Sequence, residues 1–330
     1  VIYSYGDLIP AVFQLHSASG FVDYPKSDIV PAEATVIILE VQDICKYYGT
    51  GKKRQTGCEH ISFTAESGGI YSLLGLNGAG KSTVLNSISG YRLPSSGDVS
   101  ICGYSILNEP IEAKRNIGIL YEQNPLYDSM TVREFLLFTL QMRGFGNAVQ
   151  QDLLDEAVEF TDLQEVYAKR IKELSKGYRQ RVGLAQAIIH HPRLVLLDEP
   201  ASGLDPFQLK DFEKKILALS TYAAVILCTH QLELAGRICS QHILLHKGRQ
   251  IAGGTRAELA ERLCEDFGIE EDASSDTLLF KTFEQYAGVT TREFRESAAS
   301  ESAGRKRSYS ETPSSAVGAR QSEAGTRGRR

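Results

Sequence analysis

Apolar residues along this chain fall into short, nearly unbroken runs separated by stretches with helical spacing. Ile70-Tyr71-Ser72-Leu73-Leu74, Leu194-Val195-Leu196-Leu197 and Ala224-Val225-Ile226-Leu227-Cys228 are such runs. Without regular polar alternation, they predict strands covered on both faces, as in a parallel sheet layered by helices. Val36 to Val41, Ile61 to Thr64 and Val99 to Cys102 read as further strands. Within 130–143, Val132, Phe135, Leu136, Thr139 and Leu140 recur on one helical face, and Leu153, Leu154, Ala157, Val158 and Phe160 continue a helical insert. Both stripes read as core rather than cofactor contacts. Strand and helix patterns alternate from about 36 to 256, which predicts an α/β domain.

Outside that span the pattern weakens. Residues 1–35 have no period and are interrupted by Pro10, Pro25 and Pro31, so they receive no fold assignment. In the extension over 257–296, Thr277 to Tyr286 reads as a small docking element. Residues 297–330 are rich in Ser, Ala, Gly and Arg and carry Arg305-Lys306-Arg307 and Arg327-Gly328-Arg329-Arg330. Such a composition buries too little apolar surface to offset the entropy of ordering, which predicts a disordered basic tail. It suits simple solvation, or contact with anionic lipid or RNA. A chain of 330 residues with one alternating region suits one main domain with extensions.

Composition narrows the class further. No stretch approaches the ~18 consecutive apolar residues of a membrane span, and no secretory pattern opens the chain. The six cysteines (45, 58, 102, 228, 239 and 264) lack metal-ligand spacing and read as reduced thiols. The net charge of −5 argues against a nucleic-acid scaffold, so no direct nucleic-acid contact is expected. The expectation is a cytoplasmic chain that meets a membrane only through a partner.

The chemistry concentrates at strand ends. Gly75-Leu76-Asn77-Gly78-Ala79-Gly80-Lys81-Ser82-Thr83 fits the Gly-x-x-x-x-Gly-Lys-[Ser/Thr] phosphate-binding loop, with an apolar strand before it and a helical run after it. Glycines let the backbone approach a phosphate, and the helix start directs N–H groups at it. Lys81 is expected to reach the β- and γ-phosphates and the Ser82 hydroxyl to bind Mg²⁺. The run ending in Asp198-Glu199 brings two carboxylates to the end of a parallel strand, where ligands collect. Asp198 suits the Mg²⁺ shell and Glu199 the activation of water, the two side chains diverging because a strand alternates its faces.

Further motifs resemble those of the ATP-binding cassette family over about two thirds of the chain. Leu174-Ser175-Lys176-Gly177-Tyr178 resembles its Leu-Ser-Gly-Gly-Gln signature, departing at Lys176 and Tyr178. Ala201-Ser202-Gly203-Leu204-Asp205-Pro206 is similar to its D-loop, and Thr229-His230 to its switch histidine. Lys46-Tyr47-Tyr48-Gly49 resembles the adenine-stacking loop, with Tyr48 best placed for the ring and edge packing as the alternative. The usual Q-loop glutamine position holds Glu122, with Gln123 one residue later, and both stay as candidates. The resemblance implies a P-loop NTPase cassette with a RecA-like core sheet, an antiparallel β subdomain and a helical subdomain over about 124–190. It implies ATP and Mg²⁺ as ligands, and a head-to-tail homodimer or a pair with a related cassette. In that pair Ser175 and Gly177 of one copy face the γ-phosphate held by the other, with Asp205 at the seam. The implied partner is an integral membrane permease, and the stretch Lys176 to Ala185 resembles cassettes of bacterial exporters. The rival reading is a soluble cassette ATPase acting on ribosomes or DNA. The short insert without sustained heptads argues against the chromosome-organising kind.

Overall fold

The computed structural model describes residues 36–49, 51–275, 277–290 and 292–294. The expectations for 1–35 and for the basic tail from 297 lie outside these residues. The chain runs β1 (Ile37–Tyr48), β2 (Gln55–Glu66), β3 (Ile70–Leu74), α1 (Lys81–Ile88), β4 (Ser96–Ile101), β5 (Tyr104–Ser105), α2 (Pro110–Arg115) and β6 (Ile117–Leu120). Then come α3 (Val132–Met142), α4 (Asn147–Phe160), α5 (Lys176–Ile188), β7 (Leu194–Asp198), α6 (Pro206–Leu219), β8 (Ala224–Thr229) and α7 (Leu232–Ile238). The last described elements are β9 (Gln241–His246), β10 (Arg249–Gly254), α8 (Arg256–Phe267) and α9 (Leu278–Ala287).

The strands form one mixed sheet in the order β5-β4-β1-β2-β10-β9-β3-β8-β7-β6. β9, β3, β8, β7 and β6 pair in parallel, while β1, β2, β4 and β5 pair antiparallel. The two parts meet through a parallel bridge between Arg249 of β10 and Glu59 of β2. The apolar runs behave as buried strands should. Along β7, Val195 and Leu197 join one hydrophobic cluster with α5 and α6, whereas Leu194 and Leu196 join another with α1 and the antiparallel strands. Period-2 alternation therefore feeds two cores, one on each face.

The insert folds as two helices rather than one continuous stripe, because the chain turns between Arg143 and Gly146. A capping box between Thr131 and Glu134 starts α3. Val132, Phe135, Leu136 and Leu140 pack with Leu153, Leu154, Ala157 and Val158 in a third cluster that borrows Val182, Ala185 and Ile189 from the α5 segment. Two expected members differ: Thr139 returns its hydroxyl to Phe135 O, and Phe160 is partly buried against the main core instead. The expected docking element at 277–286 is also different. It is α9, whose Leu278, Leu279 and Phe283 are buried in the main core, because its apolar stripe meets α7 and α8.

β6 and α5 come so close that a Cβ on Gly118 would lie 2.0 Å from Ala187 O and 2.8 Å from the Pro192 ring. Gly118→Ala should therefore lower stability by about 1–3 kcal/mol. Calorimetry should show a lower Tm, and an unchanged Tm would mean that strand and helix separate without cost.

Candidate functional site

β3 ends at Leu74, and the chain turns through Gly75 to Gly80 into α1. Two of these glycines are required by space. A Cβ on Gly75 would lie 2.5 Å from Leu245 O, and one on Gly80, at φ +105°, would lie 2.6 Å from Gly57 O. Gly80 occupies the N-cap of α1 without a side-chain cap, so the first-turn N–H groups are left to a ligand. Lys81 is 6 % exposed and donates to Gly75 O at 2.8 Å and Leu76 O at 3.4 Å. Its ammonium is thus stored within the loop it is expected to serve.

The two carboxylates do diverge, but not by strand alternation alone. β7 ends at Asp198, and Glu199 takes a left-handed backbone with φ +45°. That conformation costs a non-glycine residue about 1–2 kcal/mol and is sustained by its surroundings. The Glu199 N–H donates to Cys228 O at 2.8 Å. Its Oε2 accepts from the Thr229 hydroxyl at 3.1 Å, and its Oε1 lies 2.8 Å from His230 Nδ1 and 3.8 Å from Lys81 Nζ. Lys81, Glu199, Thr229 and His230 are all buried. Loop lysine, carboxylate and His230 thus form one cluster. Thr229, not singled out in the sequence, holds the other carboxylate oxygen, and its only signal was adjacency to His230.

Asp198 is also buried, and its carboxyl is pushed up to about 6. Burial is the largest cause, followed by repulsion from Glu199 and then Glu122, while a Cys228 hydrogen bond and Lys81 oppose the shift. Lys81 thus offsets only part of the local negative charge, and a divalent cation would supply the rest. Ser82 and Asp198 line the same pocket. Among the described residues no cluster of three His, Cys, Asp or Glu ligands exists. One hydroxyl and one carboxylate fit Mg²⁺, which keeps several waters and binds substrate phosphates rather than a full protein cage.

This pocket runs from Tyr48 along residues 76–83 to Glu122, Asp198 and Glu199. Tyr48 OH lies 3.3 Å from Thr83 Oγ1, and its ring is flanked by Lys46 at 5.8 Å and Arg92 at 5.6 Å. Gly57 makes room, since a Cβ there would sit 2.6 Å from the Tyr48 ring and 2.8 Å from the Thr83 methyl. Gln55, Thr56 and Gly57 also line the pocket, and no motif marked them. Glu122 is part of the lining and Gln123 is not.

Ser175, Gly177 and Asp205 lie elsewhere. Ser175 caps α5, accepting from Tyr178 N at 3.4 Å, and Asp205 caps α6, accepting from Phe207 N and Gln208 N at 2.9 Å. Ser175 and Gly177 border a second cleft with Gln208 and Asp211. Gln180 joins the two regions: its Nε2 donates to Pro200 O at 3.0 Å, and its Oε1 accepts from Asn124 Nδ2 at 3.3 Å.

The Asp198 shift fixes the sign of a pH effect. With its folded pKa raised from 3.8 to about 6, the native state holds this proton more tightly than the unfolded chain. Its contribution to stability is greatest below the unfolded value and falls as pH rises through about 6. Asp198→Asn, which stays neutral, should raise Tm relative to the parent at pH 7 and lose that advantage near pH 4. Thermal melts across this range check it, and an equal difference at both ends would refute the burial argument.

Comparison with known proteins follows the same lines. A family model described as ABC transporter matches residues 58–202. An uncharacterised ABC transporter ATP-binding protein of Bacillus subtilis, YxlF, is 34% identical over 228 residues, covering 68% of this chain and 73% of the relative. The Nod factor export ATP-binding protein I of Mesorhizobium japonicum is 32% identical over 236 residues, covering 71% of this chain and 68% of the relative. The solved structure of an ATP-binding subunit of an ABC transporter superposes with a TM-score of 0.65 at 30% identity, over 74% of this chain and 99% of that one. With the phosphate loop, the paired carboxylates and the histidine assembled at adjacent strand ends, the chain belongs to the family of ABC transporter ATP-binding proteins.

Proposed function

We propose that this chain, the ATP-binding and ATP-hydrolysing subunit of an ABC transporter, powers export through a separately encoded membrane permease. The observation that carries the reading is the contact of Glu199 with both Lys81 and His230 at the end of the pocket. No helix among the described residues is long and apolar enough to cross a membrane, which suits a separate permease. A relative named for export supports the direction of transport. It also favours transport over action on ribosomes or DNA.

Tyr48 stacks on adenine, and the residues from Gly75 to Thr83 cradle the phosphates. Lys81 exchanges the Gly75 carbonyl for phosphate oxygens, which releases Glu199 from its ammonium neighbour. Glu199 then accepts a proton from the attacking water, and His230, hydrogen-bonded to it, holds the carboxylate in place and faces the γ-phosphate. Ser82 and Asp198 would hold Mg²⁺, which would supply positive charge to offset that of the phosphates when bound. Ser175, Gly177 and Asp205 stand apart from this pocket, and that separation favours a head-to-tail pair in which one copy's α5 start closes on the other's triphosphate. The surface around Glu122, Gln123 and the helical insert takes the permease, so closure reaches the membrane as a rigid-body movement.

Glu199→Gln should keep ATP binding while hydrolysis falls by ~10²–10⁴-fold. In ATP and Mg²⁺ this variant should pair, as read by light scattering, and a strictly monomeric particle would end the pairing reading. Lys81→Ala should abolish phosphate release and weaken triphosphate binding; robust turnover would refute the site. Co-purification of a multispanning membrane protein supports transport, whereas ribosomes or DNA in its place would overturn it.

A further inference from the structure

The signature-like segment ends in Tyr178 where the resembled motif has glutamine, and Tyr178 is turned to other work. Its hydroxyl donates to Glu165 at 3.3 Å, and its ring lies 5.7 Å from the Arg181 guanidinium. A carboxamide nevertheless stands at this place, supplied by α6. Asp205 caps that helix through the N–H groups of Phe207 and Gln208, which fixes where the Gln208 side chain leaves the backbone. A Cβ on Gly177 would meet Gln208 Oε1 at 2.9 Å and its Cδ and Nε2 at 3.0 Å. With all three amide atoms equally near, the group lies flat on Gly177. Any side chain at 177 would displace it.

Among the described residues the Gln208 carboxamide makes no hydrogen bond, although it is half-buried at the edge of the cleft that Ser175 and Gly177 border. The Ser175 oxygen accepts from Tyr178 N, which leaves its hydroxyl proton to donate elsewhere. Amide and hydroxyl donors suit an anion rich in oxygen, and Asp211, the carboxylate that lines the same cleft, is ion-paired with Arg181 and Lys215. Arg181 lines the cleft too, and its guanidinium is ion-paired with Asp162 and Asp211.

We propose that Gln208 replaces the amide missing from the signature, its Nε2 donating to a phosphate oxygen of the nucleoside triphosphate held by a second copy. This rests on the head-to-tail pairing above. Gln208 binds only across the pair, so it affects closure and not the grip of one copy on its own ATP.

The test uses full-length protein carrying Glu199→Gln, so that ATP is not consumed. The ATP concentration giving half-maximal pairing is read by light scattering, and single-copy affinity by a fluorescent ATP analogue at protein concentrations too low for pairing. Adding Gln208→Ala should raise the half-pairing concentration about tenfold, the effect of one hydrogen bond to a charged group. Gln208→Glu should raise it further, by repulsion. Neither should change single-copy affinity or Tm, and Tyr178→Gln should restore pairing to the Gln208→Ala protein. Unchanged pairing in both Gln208 variants overturns the proposal, as does a loss matched by lower Tm or left unrepaired by Tyr178→Gln. If the Glu199→Gln parent itself never pairs, the pairing reading falls and takes this proposal with it.

Discussion

Everything in the site depends on keeping Lys81 and Glu199 buried and paired at 3.8 Å. A charge removed from water costs several kcal/mol unless a partner and further hydrogen bonds compensate it. Here the compensation comes from three neighbouring strands. β3 leads into the loop that carries Lys81, β7 ends beside Glu199, and β8 ends in Thr229 followed by His230. The register sets this meeting, with Leu74 opposite Thr229 and Asp198 opposite Cys228. A one-residue slip would exchange the faces of a strand and leave a carboxylate in the core.

The left-handed backbone at Glu199 belongs to the same constraint. Extended backbone would carry the second carboxylate onward along β7, whereas φ +45° turns the chain at the strand end. The strain is held by the Glu199 N–H bond to Cys228 O and by both carboxylate oxygens. Strain concentrated at a functional group and supported by its surroundings is the expected signature of preorganisation. Asp198 carries a related strain in electrostatic form, since burial and two nearby carboxylates disfavour its charge.

Between the sheet and the helical insert the contacts are of another kind. The insert has its own apolar cluster and shares the α5 segment with the core. Polar links complete the joint: Asn124 to Gln180 to Pro200, and Asp162 with Arg181, Asp211 and Lys215. Hydrogen bonds and ion pairs are directional and can exchange partners, whereas a packed core does not deform continuously. Such a joint suits rotation of the insert as a body. On the opposite side, Arg256 donates to the carbonyls of Gly236, Ala273 and Ser275, tying α8 and its connector to α7.

Local chemistry was legible from residues alone. The phosphate loop, the buried strands and the Asp198-Glu199 pair each depend on residue types a few positions apart, and backbone geometry converts such spacing directly into structure. The helical stripes were legible too, because 3.6-residue periodicity survives any tertiary arrangement, although Phe160 went to another core. Only the tertiary structure decided that Glu199 meets Thr229 and His230, that Glu122 rather than Gln123 lines the pocket, and that α9 is core rather than a docking element. It alone laid Gln208 on Gly177. These are contacts between segments distant in the chain, set by strand order and helix packing, and no short-range pattern in the amino acids carries that information.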